Sequence, residues 1–263
     1  MPNRLTGKTI VIIGGTTGLG LSAAKAVIAA GGRVVVVGKD PETTTTAEIV
    51  LGEKALAFAG DATDPTTAER AIGEAVAAFG GMHGLYHVAG GSGRKFGDGP
   101  LHEMTDEGLR VTMEMNLTTL MLSNRAAVKH FMQEGKGGTI LNMSSVLAWS
   151  PSPKHFASHA YAAAKAGIIG FSKSTAAYYA PHNIRINVLA PALVETPMSR
   201  RAVENTEIMD FIRAKQPLDG GRVGTPEDLD AAVVWFLSDA SRFCTGQVLA
   251  LDGGWTVSEG NGL

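Results

Sequence analysis

Seven short apolar runs recur along the chain: Lys8–Ile13, Val34–Val37, Ala55–Ala59, Gly84–Val88, Thr139–Met143, Ile184–Ala190 and Gln247–Leu251. The first, K-T-I-V-I-I, has no polar alternation, the pattern of a strand buried on both faces of a parallel sheet. Between these runs lie stretches with helical character. An alanine-rich segment follows Leu21 and stops at Gly31-Gly32, and others are Pro41–Leu51 and a segment from Pro65 to about Phe79 capped by Asp64. A long one from Leu101 to about Glu134 has an irregular middle, the helix carrying Tyr161 runs to about Ala180, and Pro226–Leu237 starts at Thr225. Strands alternating with helices predict an α/β fold: a single doubly wound parallel sheet of about seven strands with helices on both faces. No linker or repeat divides the chain, so residues 1–263 are expected to form one domain, with helices and loops around 192–215 as a substrate lid.

Composition narrows the possible partners. The 44% hydrophobic and 18% charged content is that of a globular chain, and 33 glycines suit tight strand-to-helix turns. A net charge of −2 provides no field for nucleic acid or an anionic membrane, so small molecules are the expected partners. The single cysteine, Cys244, cannot form an internal disulfide, Met1–Lys8 has no apolar core of a leader, and no run approaches a membrane span. A soluble cytoplasmic protein is expected.

The candidate chemistry lies at the ends of the strands. After the first run comes G-G-T-T-G-L-G and then a helix. Glycines 14, 18 and 20 let the backbone approach a dinucleotide pyrophosphate at the positive end of that helix, a Rossmann-type arrangement. The tip of the second strand reads Gly38-Lys39-Asp40. With no carboxylate at 38 and a cation at 39, NADP(H) is favoured over NAD(H), while Asp40 keeps NAD(H) open. Asp61 ends the third strand near an expected adenine, and Ala89-Gly90 after the fourth would admit a ribose. His87 reads as a packed, hydrogen-bonded residue, and Asn116 as a structural clamp or part of a polar site.

The fifth strand ends at Ser144-Ser145, and after a loop with Trp149, His155 and Phe156 comes S-H-A-Y-A-A-A-K. On a helix, Tyr161 and Lys165 stand one turn apart on one face. A free phenol ionises about three units above neutral pH, and a neighbouring ammonium would bring it into range as an acid or base. Trp149, Phe156 and Met198 suggest an apolar substrate wall, while Arg94, His155 and His159 leave room for a polar or anionic group.

This ordered series resembles the short-chain dehydrogenase/reductase family over nearly the whole length. It comprises the glycine turn, Asp61, Ala89-Gly90, Asn116, Ser145, Tyr161-x-x-x-Lys165, P-A-L-V-E-T from 191 and T-G-Q-V-L-A-L-D-G-G from 245. The resemblance implies an NAD(P)(H)-dependent oxidoreductase acting on a carbonyl or secondary alcohol. In it Tyr161 would be the proton donor or acceptor, and Lys165 would lower its pKa and hold the nicotinamide ribose. Ser145 would bond the substrate oxygen, and Asn116 would anchor a proton-relaying water chain. Gly14, Thr17, Gly18, Leu19 and Gly20 would line the pyrophosphate site, Lys39 the adenosine ribose or its phosphate, and Asp61-Ala62 the adenine. Val194 and Thr196 would hold the carboxamide. A homo-oligomer, tetramer or dimer, is also implied, and no metal. Three positions depart from the family pattern: Ile13 for Thr, His87-Val88 for Asn-Asn, and Ala192 for Gly. The alternative is a dinucleotide-binding sensor or scaffold without turnover, which loss of Ser145, Tyr161 or Lys165 would have favoured.

Overall fold

The computed structural model describes residues 3–260; the outermost ends of the expected domain, 1–2 and 261–263, lie outside the described residues. Strands β1 (Thr9–Ile13), β2 (Arg33–Gly38), β3 (Ala55–Ala59), β4 (Gly84–His87), β5 (Gly138–Met143), β6 (Ile184–Pro191) and β7 (Val248–Leu251) occur where the apolar runs predict them. All neighbours pair in parallel, in the order β3-β2-β1-β4-β5-β6-β7. The order reverses direction between β1 and β4, and a crevice opens beyond the carboxyl ends of strands at such a switch point.

The period of two along each strand decides which helix layer it meets. Ile10, Ile12, Val34 and Val36 pack with α1 (Gly18–Ala29), α2 (Pro41–Leu51) and α9 (Glu227–Leu237), through residues such as Val27, Ala47 and Val233. Val11, Ile13, Val35 and Val37 face the other way, toward α3 (Pro65–Phe79) and α5 (Thr119–Glu134), meeting Ala71 and Ala127. All five β1 residues are buried, and each such Val or Ile contributes roughly 1.5–3 kcal/mol.

Local signals fix the helix ends. Asp64 accepts the Thr66 N–H at 2.8 Å with Pro65 in the first turn, and Asp40 accepts the Thr43 N–H at 2.9 Å at the start of α2. The long helix expected from Leu101 begins later, as α4 (Asp106–Met113), because Thr105 accepts the Gly108 N–H at 2.9 Å and caps it. The irregular middle is a π-helical turn, Glu114–Thr118, which carries α4 into α5. Helices α7 (Arg200–Val203) and α8 (Thr206–Lys215) cross the carboxyl end of the sheet, where Ala202, Ile208 and Ile212 pack with Val146 and Trp255. Gln216 ties this segment down, accepting from the Leu193 N–H at 2.9 Å and donating to its carbonyl at 3.2 Å.

Candidate active site

A cleft of about 320 Å³ opens at the switch point, lined by the glycine turn after β1, the ends of β4, β5 and β6, the start of α6 (His159–Tyr179) and α7. Helix α6 is held from outside its own sequence. Ser158 makes no side-chain cap; instead buried Asp98, from the glycine-rich loop 91–100 that follows β4, accepts the Ala160 N–H and the Tyr161 N–H, each at 3.0 Å. Sequence reasoning missed Asp98, and the only signal was an acid in a loop preceding a helix without a local cap. Charge at an N-terminus complements the helix dipole, so this contact sets where Tyr161 stands.

Tyr161 and Lys165 share the predicted face and both line the cleft. Lys165 is 3% exposed, its Nζ donates to the Met143 carbonyl at 3.2 Å, and the same atom lies 5.3 Å from the centre of the Tyr161 ring. Burial pushes the lysine down to about 8. It pushes the Tyr161 phenol up to about 12, with the Ser145 hydroxyl acting in the opposite direction. The acidification of the phenol expected from Lys165 is not found: burial is the leading cause at both groups, raising the phenol and lowering the lysine.

The two serines have separate tasks. Ser144 donates to the Lys165 carbonyl at 2.7 Å, pinning α6 to β5, whereas Ser145 lines the cleft and accepts the Leu147 N–H at 3.2 Å. Asn116 is fully buried on the π turn. Its Nδ2 donates to the carbonyls of Gly91 at 3.0 Å and Thr112 at 2.9 Å, and its Oδ1 accepts the Gly91 N–H at 3.2 Å. It therefore clamps the loop after β4. His87 is packed as expected, with Ser123 Oγ 2.7 Å from Nδ1, and burial holds its ring down to about 3.

Gly14, Thr17, Gly18, Leu19, Ala89, Gly90, Val194 and Thr196 all line the cleft. Gly14 has φ +89°, and a Cβ there would stand 2.6 Å from the Ala89 nitrogen, so only glycine fits. Gly20 is set back, against the Gly14 carbonyl. Thr17 makes no side-chain cap on α1, whose first turn carries no acid, which leaves its backbone N–H groups for an anion. These residues fit a dinucleotide pyrophosphate.

Lys39, Asp61 and Ala62 lie apart, at the tips of β2 and β3. Lys39 Nζ and Asp61 pair at 2.7 Å, which together with the Thr63 N–H holds the Asp61 carboxyl below its ordinary range. Ala62 packs against the α3-side core. Gly38 is required by packing, since a Cβ there would fall 2.0 Å from Thr16 Oγ1. On the substrate side, Arg94, Phe156 and Met198 line the cleft, but Trp149 and His155 do not. Trp149 is 45% exposed, and the His155 ring packs on Phe211 with centroids 4.8 Å apart. The wall that Trp149 was expected to supply comes from Leu147 and Trp255, with Arg201 beside them. Trp255 is buried, donating from Nε1 to the Ser150 carbonyl at 3.2 Å.

Comparison with known proteins agrees with this geometry. A family model described as "Enoyl-(Acyl carrier protein) reductase" matches residues 14–256. A 2,5-dichloro-2,5-cyclohexadiene-1,4-diol dehydrogenase of Sphingobium indicum is 33% identical, over 96% of this chain and 98% of its own. A 3beta-hydroxysteroid dehydrogenase of Eggerthella lenta is also 33% identical, over 99% and 98%. The solved structure of a short-chain type dehydrogenase/reductase from Mycobacterium ulcerans superposes with a TM-score of 0.88 at 28% identity, covering 97% of this chain and 91% of that one. The fold, the glycine turn and the Ser-Tyr-Lys cleft therefore belong to an enzyme: the chain is a member of the short-chain dehydrogenase/reductase family, whose enzymes use NAD(P)(H) to interconvert alcohols and carbonyls.

Proposed function

We propose that this enzyme prefers NADP(H) and interconverts a ketone and a secondary alcohol with Tyr161 as general acid and base. The observation that carries this reading is the convergence of Ser145, Tyr161 and Lys165 on one cleft with an uncapped glycine turn. The bound nicotinamide supplies or takes up the hydride; the chain's own residues manage oxygen and proton. In reduction, the hydroxyls of Ser145 and Tyr161 hold the carbonyl oxygen as charge develops on it, and the phenol gives up its proton. Burial keeps the phenol protonated at neutral pH, as the acid role in reduction requires, and the Ser145 hydroxyl opposes the rise that burial causes. Lys165 stabilises the phenolate left behind, and Asn116 braces Gly91 beside it, where a water chain would resupply the proton.

The NADP(H) preference is supported by the tip of β2. Asp40 is engaged as the cap of α2, and the cation at that tip is Lys39, 80% exposed and paired with Asp61, a pairing that a 2′-phosphate would compete with. Gly38, being a packing requirement, does not bear on the choice. We assign residues 192–215 as a substrate lid over the cleft, since Val194, Met198, Arg201 and Ala202 line it. A homo-oligomer, tetramer or dimer, is supported by apolar side chains exposed on α5 and α6, Met121, Met132 and Tyr178, and a cytoplasmic location goes with this reading. Among the described residues no helix is long and apolar enough to cross a membrane.

Screening ketones and secondary alcohols while following reduced-cofactor absorbance tests the reading. Turnover is expected, and Tyr161→Phe should lower kcat by roughly 10²–10⁴. Nucleotide binding without turnover on any substrate would indicate a sensor instead.

A further inference from the structure

The charges facing the cleft are all of one sign. Its charged lining residues are Arg94, Lys165 and Arg201, with no carboxylate among them, although the chain as a whole carries −2. Lys165 is committed beside Tyr161, which leaves two guanidinium groups to explain. Arg94 rides on the short turn Arg94–Phe96 in the loop after β4, and Arg201 projects from α7 in the lid segment. The two reach the cleft from separate walls.

Neither is neutralised by the protein. Among the described residues no ion pair involves either side chain. Arg94 uses Nη2 to donate to the His155 carbonyl at 3.3 Å, which anchors the group and leaves most of its five N–H donors unused. Asp98 is the acid that acts on Arg94, but its two carboxylate oxygens accept the Ala160 and Tyr161 N–H groups. Burial, and after it the like charge of Arg201, pull the Arg94 guanidinium below its ordinary range, with Asp98 acting in the opposite direction. A half-buried guanidinium with unused donors on one wall and an exposed one on another, with no carboxylate lining the cleft, suit an oxyacid anion. The nearby lining is apolar, with Leu147, Phe156 and Trp255.

We propose that Arg94 and Arg201 form an anion clamp at the substrate end of the cleft, and that the substrate is a ketone or secondary alcohol carrying a carboxylate or another oxyacid group across an apolar skeleton. This rests on the oxidoreductase reading given above. The phosphates of a dinucleotide already have the glycine turn and Lys39, which leaves the clamp for the substrate.

The test uses 6-oxoheptanoate and its uncharged methyl ester. Binding to the enzyme saturated with oxidised cofactor is measured by calorimetry, and reduction is followed separately with reduced cofactor. The acid should bind and react at least tenfold better than the ester, and Arg201→Gln combined with Arg94→Gln should bring the ratio of acid to ester kcat/KM to about one. Arg94→Lys should restore part of the preference, and Arg201→Gln alone, at an exposed site, cannot act through misfolding. Equal handling of acid and ester, an acid preference that survives in the double variant, or a loss confined to cofactor affinity would each overturn the clamp. Absence of turnover with any carbonyl, while the acid still binds preferentially, would instead overturn the oxidoreductase reading.

Discussion

The two ends of the cleft are made of different material. The end proposed for the cofactor is mostly backbone: the turn from Gly14 to Gly20, Ala89-Gly90 and the uncapped start of α1. The end proposed for the substrate is mostly side chain, with Arg94, Phe156, Arg201 and Trp255 brought together from segments far apart in sequence. Backbone cradles need small residues at fixed local spacing, so they recur wherever the same ligand is held. A side-chain wall has no such constraint, and relatives of similar identity therefore act on a chlorinated diol or on a steroid.

The contrast can be tested, beginning where the largest change is expected. Trp255→Ala should cost about 3–5 kcal/mol of unfolding free energy in urea, since the ring fills the core under the substrate wall, whereas exposed Trp149→Ala should stay within about 0.5 kcal/mol. Equal effects would mean that the wall is not built on Trp255. Next comes Lys165. Its native pKa of about 8 lies below the ordinary 10.5, so the unfolded chain binds more protons between those values and stability rises with pH across that window. The gain should be on the order of 3 kcal/mol, and Lys165→Met should lack it while losing activity. A flat difference in unfolding free energy between wild type and variant from pH 7 to 10 would show that the cation is not dehydrated.

A smaller effect is expected at Asp98, where the substrate loop holds the catalytic helix. The two N–H groups bond different carboxylate oxygens, so Asp98→Asn sets an NH2 donor against one of them and should lose about 1–3 kcal/mol. It should also lower kcat more than it raises cofactor KM; the opposite split would place Asp98 with the cofactor end. Least change in stability is expected at the exposed Lys39–Asp61 pair. Lys39→Ala should alter unfolding by no more than about 1 kcal/mol but reduce the preference for NADP(H) over NAD(H), read as the ratio of kcat/KM values. An unchanged ratio would remove Lys39 from cofactor selection.

How far the sequence could be read follows from the range of each interaction. Strand positions, the parallel sheet and the cap at Asp64 were legible because they rest on periodicity or on contacts within a few residues, whereas Asp40, read only against the cofactor, proved to cap α2. The start of α4 was misplaced by five residues, Leu101 against Asp106, because apolar Leu101 and Met104 resemble a helical face until the Thr105 cap is counted. Trp149 and Trp255 show the reverse problem. Aromatic character was visible at both, but a side chain's direction across a loop is set by partners remote in the chain, here Phe156 and Phe211 around Trp255.

From its order of residues alone the chain determined its architecture, its nucleotide-binding turn and the one-turn spacing of Tyr161 and Lys165, since each is a matter of local backbone preference. Only the tertiary structure decided how those groups are charged and what the substrate end presents. Burial, not the neighbouring cation, governs both ionisations, and burial is a property of everything packed around a site. The capping of α6 by Asp98 and the shared cleft of Arg94 and Arg201 likewise bridge 62 and 107 positions of chain. No short-range pattern records such contacts, because they exist only once the sheet has brought its loops to one edge.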